Sequence, residues 1–135
     1  MTDARFKPWT FAGLAFDAEG QYPTEESLAA LVEQPFNFNE AARFVVEQLP
    51  KANIYQGDGW RGVCVERARD PYTKQPIVRV VYATGGWSGN ESIIEAALER
   101  ADVSFFLAQW RRGGQFVFEV PDAFRFVASE AAPDA

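Results

Sequence analysis

Histidine is absent from this chain, and cysteine occurs once, at Cys64. The missing histidine removes the Ser–His and Cys–His pairs of nucleophilic catalysis. With a single thiol, an internal disulfide is excluded and most zinc, haem and iron–sulfur sites lose their ligands. Cys64 lies between Val63 and Val65 in a β-rich run, which predicts a core thiol. So little cysteine fits a reducing cytoplasm. No stretch reaches the roughly 18 to 20 apolar residues of a membrane span, and no basic segment followed by an apolar run opens the chain. The expectation is a soluble, cytoplasmic protein without a membrane partner. Positive charge is also scarce: 13 basic against 19 acidic side chains leave a net charge of −6, which argues against direct nucleic-acid binding.

The deficit is uneven. Residues 1–59 hold 9 acids and 4 bases, residues 60–126 hold 8 and 9, and the tail 127–135 adds 2 acids. An anionic partner therefore fits the second half better than the first. Aromatic residues are plentiful, with 12 Phe, 4 Trp and 4 Tyr, and they supply large faces for a core and for contact surfaces. Trp9, Phe11, Phe16 and Tyr22 are expected to cover one edge of that core. At 135 residues the chain suits one domain, 1–135, with flexible ends at about 1–8 and 127–135. No repeat or low-complexity linker divides it.

The apolar pattern changes period along the chain. "PTEESLAALVEQP" places Thr24 as N-cap, Glu25 and Glu26 in the first turn and Leu28, Leu31 and Val32 on one face, and so predicts a helix ending at Pro35. "NEAARFVVEQLP" predicts a second helix, with Asn39 as N-cap and Pro50 as its stop. "RGVCVERAR" and "PIVRVVYAT" read as a β-hairpin with a longer loop, and Val78, Val80 and Tyr82 share a face. "NESIIEAALERA" predicts a third helix, with Ile93, Ile94, Ala97, Leu98 and Ala101 on one side and Glu91, Glu95 and Glu99 on another. "VSFFLAQW" and "QFVFEV" then form a second hairpin, because Gly113 and Gly114 suit a tight turn; the first of these runs can alternatively extend the helix. The expected fold is α+β: two N-terminal helices, then a mainly antiparallel four-stranded sheet in the order β-β-α-β-β, with a helix on one face.

Chemistry concentrates in two stretches. In "YATGGWSGNESII", glycines permit close backbone approach, and Ser88 or Asn90 can cap a helix starting near Glu91. The amides of such a helix start can hold an anion, although Glu91 competes with it. The spacing matches neither a P-loop nor a dinucleotide fingerprint, so the stretch is either a plain strand-to-helix turn or a binding loop. Trp87 in that loop either plugs into the core or stacks on a ligand. In "WRRGGQ", Arg111 and Arg112 offer planar forks to a carboxylate or phosphate, with Trp110 as a stacking face; a solvated turn is the alternative. The candidate ligand-binding set is thus Gly86, Trp87, Ser88, Asn90, Glu91, Trp110, Arg111 and Arg112. No catalytic residue, metal site or cofactor is assigned. Glu91 and Glu95, one helical turn apart, can bind a hard cation or serve as acid and base, or simply face solvent. Whether the two stretches converge is left open by the simplest strand order.

"TGGWSGNESI" followed by "WRRGGQFVFEV" resembles a group of short, uncharacterised proteins found in bacteriophages, prophages and their bacterial hosts. The similarity covers roughly residues 80–120. In that pattern a histidine often follows the glycine pair, where this chain has Gln115, so no titrating imidazole is available here. The resemblance implies a phage or mobile-element setting and an accessory role.

The leading functional expectation is a small accessory protein that binds a small anionic ligand or a partner segment through the Gly-Trp loop and the arginine turn. A second is an acidic inhibitor of protein interactions. In it Glu25, Glu26, Glu33, Glu40 and Glu47 imitate nucleic-acid charge or dock on a basic host protein. A third is an enzyme using Glu91 with Arg112. A homodimer through an exposed sheet face or edge is compatible with each.

Overall fold

The computed structural model describes residues 7–18, 22–53, 56–57 and 60–124. The chain is α+β, with helices gathered on one face of a four-stranded antiparallel sheet. Helix α1 (Glu25–Glu33) starts where Thr24 accepts a hydrogen bond from the Ser27 amide at 3.2 Å. It ends at Gln34, whose extended backbone precedes Pro35 and cannot continue a helix. Helix α2 (Phe38–Arg43) is capped by Asn37, whose side chain accepts from the amides of Asn39 and Glu40. The cap expected at Asn39 therefore sits two residues earlier. An Asx side chain bonds the second and third amides after it, and only Asn37 has the extended backbone this requires. The helix then widens into a π-turn (Phe44–Gln48) and tightens into a 3₁₀ turn (Pro50–Ala52).

Two short strands, β1 (Gln56–Gly57) and β2 (Trp60–Arg61), pair with each other. Strands β3 (Val63–Arg69) and β4 (Pro76–Ala83) form the expected hairpin in the register Val63↔Tyr82 to Arg69↔Pro76. Its loop is organised by Asp70, whose carboxylate accepts from the amides of Tyr72 (2.8 Å) and Thr73 (3.0 Å). Those amides, Thr73 foremost, hold the Asp70 carboxyl below its ordinary range.

Helix α3 (Ser88–Leu98) begins earlier than the apolar pattern suggests and stops before Arg100, whose extended backbone separates it from the single turn α4 (Ala101–Ser104). The run "VSFFLAQW" is divided accordingly. Val103 and Ser104 are helical, and strand β5 (Leu107–Arg111) starts only at Leu107. The tight turn through Gly113 and Gly114, with φ of +94° and +84°, leads into β6 (Gln115–Pro121). Strand order is β3-β4-β6-β5.

Val78, Val80 and Tyr82 of β4 and Phe118 and Val120 of β6 meet Leu31, Phe44, Val45, Ile93 and Ala97 in the core. Trp9 and Phe11 pack on Phe44, each with ring centroids 6.3 Å away, and Phe16 joins this cover, as expected. Tyr22 does not: it is 42% exposed and stacks on Trp87. Cys64 is exposed, not a core thiol. It pairs with Val81, on the sheet face opposite Tyr82, and β3 is an edge strand, so the apolar residues flanking it in sequence do not enclose it.

One buried polar hub ties α1 to the break after α3. The Arg100 guanidinium donates to the carbonyls of Leu31, Val32, Gln34 and Pro35, at and just past the end of α1, at 2.8–3.1 Å; Leu31 also accepts from the Gln34 amide and Pro35 from the Trp9 indole. It also forks onto Asp102 (3.0 and 2.7 Å) and lies 4.5 Å from the Trp9 ring centroid. Asp102 in turn accepts from the Asn37 amide at 2.9 Å.

Candidate functional site

Because β4 and β6 are antiparallel neighbours, the end of one lies beside the start of the other: Ala83 pairs with Gln115. The glycine loop after β4 and the arginine turn before β6 therefore converge at one end of the sheet. The Thr84 amide donates to the Gly114 carbonyl at 2.9 Å, fastening the two segments together.

Behind this junction lies a buried network. Asn53 donates to the carbonyls of Ala83 (2.8 Å) and Gly62 (3.3 Å). Asn90 donates to the Thr84 carbonyl (3.1 Å) and to Asn53, and accepts from the Tyr82 hydroxyl (3.4 Å). Asn90 is 1% exposed, so it is an internal strut of the loop and not a side chain presented to a ligand. Helix α3 starts at Ser88, with Trp87 as its N-cap residue and no side-chain cap bond. Neither Ser88 nor Asn90 caps it, since both have helical backbone and an N-cap residue must be extended.

The Tyr82 hydroxyl is pushed above its ordinary value of 10.0 by burial. The fold favours the neutral phenol, so its contribution is complete below about pH 10 and is lost as pH rises further. Tyr82→Phe is expected to lower stability at pH 7 by about 0.5–1.5 kcal/mol, because Asn90 loses a donor. It should also flatten the loss of stability above pH 10. Urea midpoints at pH 7 and pH 10.5 for both proteins check this, and parallel pH profiles would contradict it.

The other sequence candidates divide between the two faces. Trp87 stacks on Tyr22 (5.2 Å between centroids, 24° between planes), and the Ser88 hydroxyl lies 3.5 Å from the Tyr22 hydroxyl. Gly86 has φ of +75°, and a Cβ there would meet nothing within 4 Å. Gly86 and Glu91 are exposed. Trp110 is opposite Phe116, on the helix-bearing face but 61% exposed beyond the helices, whereas Arg111 is opposite Gln115 on the other face. Strand alternation thus separates Trp110 from Arg111, although the two adjoin in sequence. Arg112 is exposed in the turn.

Arg111 borders a concavity of about 580 Å³ on the sheet face away from the core. Val81 and Val117, a directly paired couple, make its apolar floor. Gln109 and Gln115 flank Arg111, and Ala108 sits where the β5–β6 register shifts, a bulge that opens the strand edge. Arg79 and Glu119 close the far side, joined at 3.1 Å, with Glu66 at 3.5 Å from Arg79. The bond to Glu119, then Glu66, holds the Arg79 guanidinium pKa above its ordinary value. Among the described residues no carboxylate pairs with Arg111. Arg79 is thus matched by two carboxylates, and among the described residues Arg111 is the cation of the lining that faces none. Arg79 and Glu119 were signalled in the sequence as lone charges inside "VRVV" and "FVFEV", where alternation turns them away from the core.

Among the described residues no group of three or more Asp, Glu or Cys side chains is placed to hold a metal ion, and no helix is long and apolar enough to cross a membrane. Comparison of the chain with protein-family models, with curated proteins and with solved structures gives no match.

Proposed function

We propose that this protein is a binding module whose ligand is a small monoanion with an apolar body, or an anionic segment of a partner, seated in the concavity beside Arg111. The carrying observation is a guanidinium with no carboxylate partner among the described residues, at the rim of an apolar-floored hollow. Arg111 anchors the carboxylate or phosphate through its planar fork, Gln109 and Gln115 add hydrogen bonds, and the Val81–Val117 floor takes the apolar part. The junction of Thr84 with Gly114 holds the arginine turn in place, so the glycine loop serves the site by positioning it. The motif resemblance adds an accessory role in a phage or mobile-element setting to the same proposal.

Titration calorimetry with benzoate and with phenyl phosphate tests this reading. Saturable binding is expected, weakened about 10-fold or more by Arg111→Ala, the equivalent of about 1.4 kcal/mol or more. Arg112→Ala and Trp87→Ala should change it little. Binding that survives Arg111→Ala, or that Arg112→Ala reduces equally, contradicts the assignment.

A further inference from the structure

A second surface lies on the helical layer. Helices α1 and α3 pack side by side and leave between them a groove of about 410 Å³. Its floor is apolar, made by the half-buried Leu28 and Val32 with the small Ala29 and Ala96. Its rim carries Glu33, Glu95 and Glu99.

The charge on these helices is of one sign. Glu25, Glu26 and Glu33 on α1, and Glu91, Glu95 and the C-cap Glu99 on α3, are all exposed, and neither helix contains lysine or arginine. Among the described residues no cation pairs with any of them. Arg100, next in sequence to Glu99, is turned inward onto Asp102 and the α1 carbonyls. Glu91, Glu95 and Glu99 recur at the spacing where like charges repel along a helix. Glu33 and Glu99 also stand at helix C-termini, where the backbone dipole disfavours negative charge. Glu25, Glu26 and Glu91 lie in first turns, where the dipole favours them, but Glu33, Glu95 and Glu99 act against the stability of their own helices, and no cation among the described residues compensates these three. A local rule broken without a compensating contact points to function.

We propose that the α1–α3 groove receives a basic amphipathic helix of a partner protein. Apolar side chains at i, i+3, i+4 and i+7 of that helix would lie over Leu28 and Val32, in the room left by Ala29 and Ala96. Lysines or arginines on its flanks would meet Glu33, Glu95 and Glu99, relieving the repulsion that the free protein carries. Nucleic acid is excluded as the occupant by the sign of the charge. This surface is on the opposite side of the sheet from the Arg111 concavity and does not depend on it.

The test uses a synthetic amphipathic peptide of about 18 residues, with leucine on one helical face and lysine on the other, and a scrambled peptide of identical composition. Fluorescence anisotropy is expected to show the amphipathic peptide binding about 10-fold or more tightly than the scrambled one. The triple variant Glu33→Gln, Glu95→Gln, Glu99→Gln should weaken it by at least a similar factor. So should Ala29→Leu, which fills the groove and leaves the charge unchanged. Glu47→Gln, outside the groove, should leave binding intact. Without peptide, the triple variant should melt at a higher temperature than the parent. Equal binding of both peptides, or full binding by Ala29→Leu, would show diffuse charge attraction and overturn groove docking. Full binding by the triple variant would overturn it as well.

Discussion

Arg100→Ala is expected to lower stability by about 3–5 kcal/mol, the range for breaking a buried ion pair by removing one partner. The side chain is 4% exposed, and Asp102 is fully buried. Truncation leaves the Asp102 carboxylate without its cation and the carbonyls of Leu31, Val32, Gln34 and Pro35 without their shared donor. Asp102 is enclosed, with Trp9 packed over the guanidinium, so the carboxylate left behind is cut off from water. Arg100→Lys should recover only part of the loss, because an ammonium keeps the charge but lacks the planar fork that spans both oxygens of Asp102. The check is the urea midpoint and slope of the three proteins. A loss under about 1 kcal/mol for Arg100→Ala would mean that the end of α1 frays and rehydrates at little cost.

Gly114→Ala is expected to cost about 2–4 kcal/mol, from two separable causes. The residue has φ of +84°, a backbone region that a side chain disfavours. A Cβ there would also fall inside contact distance of the Thr84 hydroxyl. Thr84 has little freedom to retreat, since it is 1% exposed and its hydroxyl accepts from the Gly86 amide at 3.4 Å. Gly113→Ala provides the comparison: φ is +94° but the space around it is open, so only the backbone strain of about 1–2 kcal/mol applies. In a Thr84→Ala background the cost of Gly114→Ala should fall to that of Gly113→Ala. An unchanged cost in that background would place the whole effect in the backbone and remove the steric lock from the account. The coupling bears on the proposed site, because a displaced turn moves Arg111.

Much of the fold was legible because single segments carry their own periodicity and punctuation. Thr24 with Glu25 and Glu26 marks a helix start, alternation in "PIVRVVYA" marks a half-buried strand, and Gly113–Gly114 marks the turn. The misplaced features are those whose local pattern is overruled by distant partners. "ESIIEAALERADVSFF" is apolar at helical spacing almost throughout. Arg100 breaks it because its side chain satisfies the end of a helix some 65 residues earlier. Cys64 reads as buried from Val63 and Val65, yet its pairing with Val81 on an edge strand puts it on the sheet face away from the helices.

The candidate site shows the same division. Arg111 was visible as a basic residue beside a glycine turn, and the glycine loop as an unusual strand-to-helix passage. Their meeting was not, because it depends on β6 pairing with β4 and not with β3. That is a choice of sheet order made by the burial of Tyr82, Phe118 and Val120 under the helices. Trp110 and Arg111, neighbours in the sequence, lie on opposite sheet faces because successive residues of a strand face opposite ways. The residues that complete the concavity, Arg79, Gln109 and Glu119, come from three strands and carry no joint sequence signal.

By itself, then, the amino-acid sequence determined the element types, the turn chemistry, the apolar faces and the exclusion of histidine and disulfide chemistry, because these follow from interactions within a few residues along the chain. Only the tertiary structure decided which faces stayed open, that Asn90 became an internal strut, that Arg100 closed a helix, and that Arg111 met no carboxylate among the described residues while bordering an apolar floor. Each of these depends on contacts between segments far apart in sequence, whose pairing is set by the burial of the whole core.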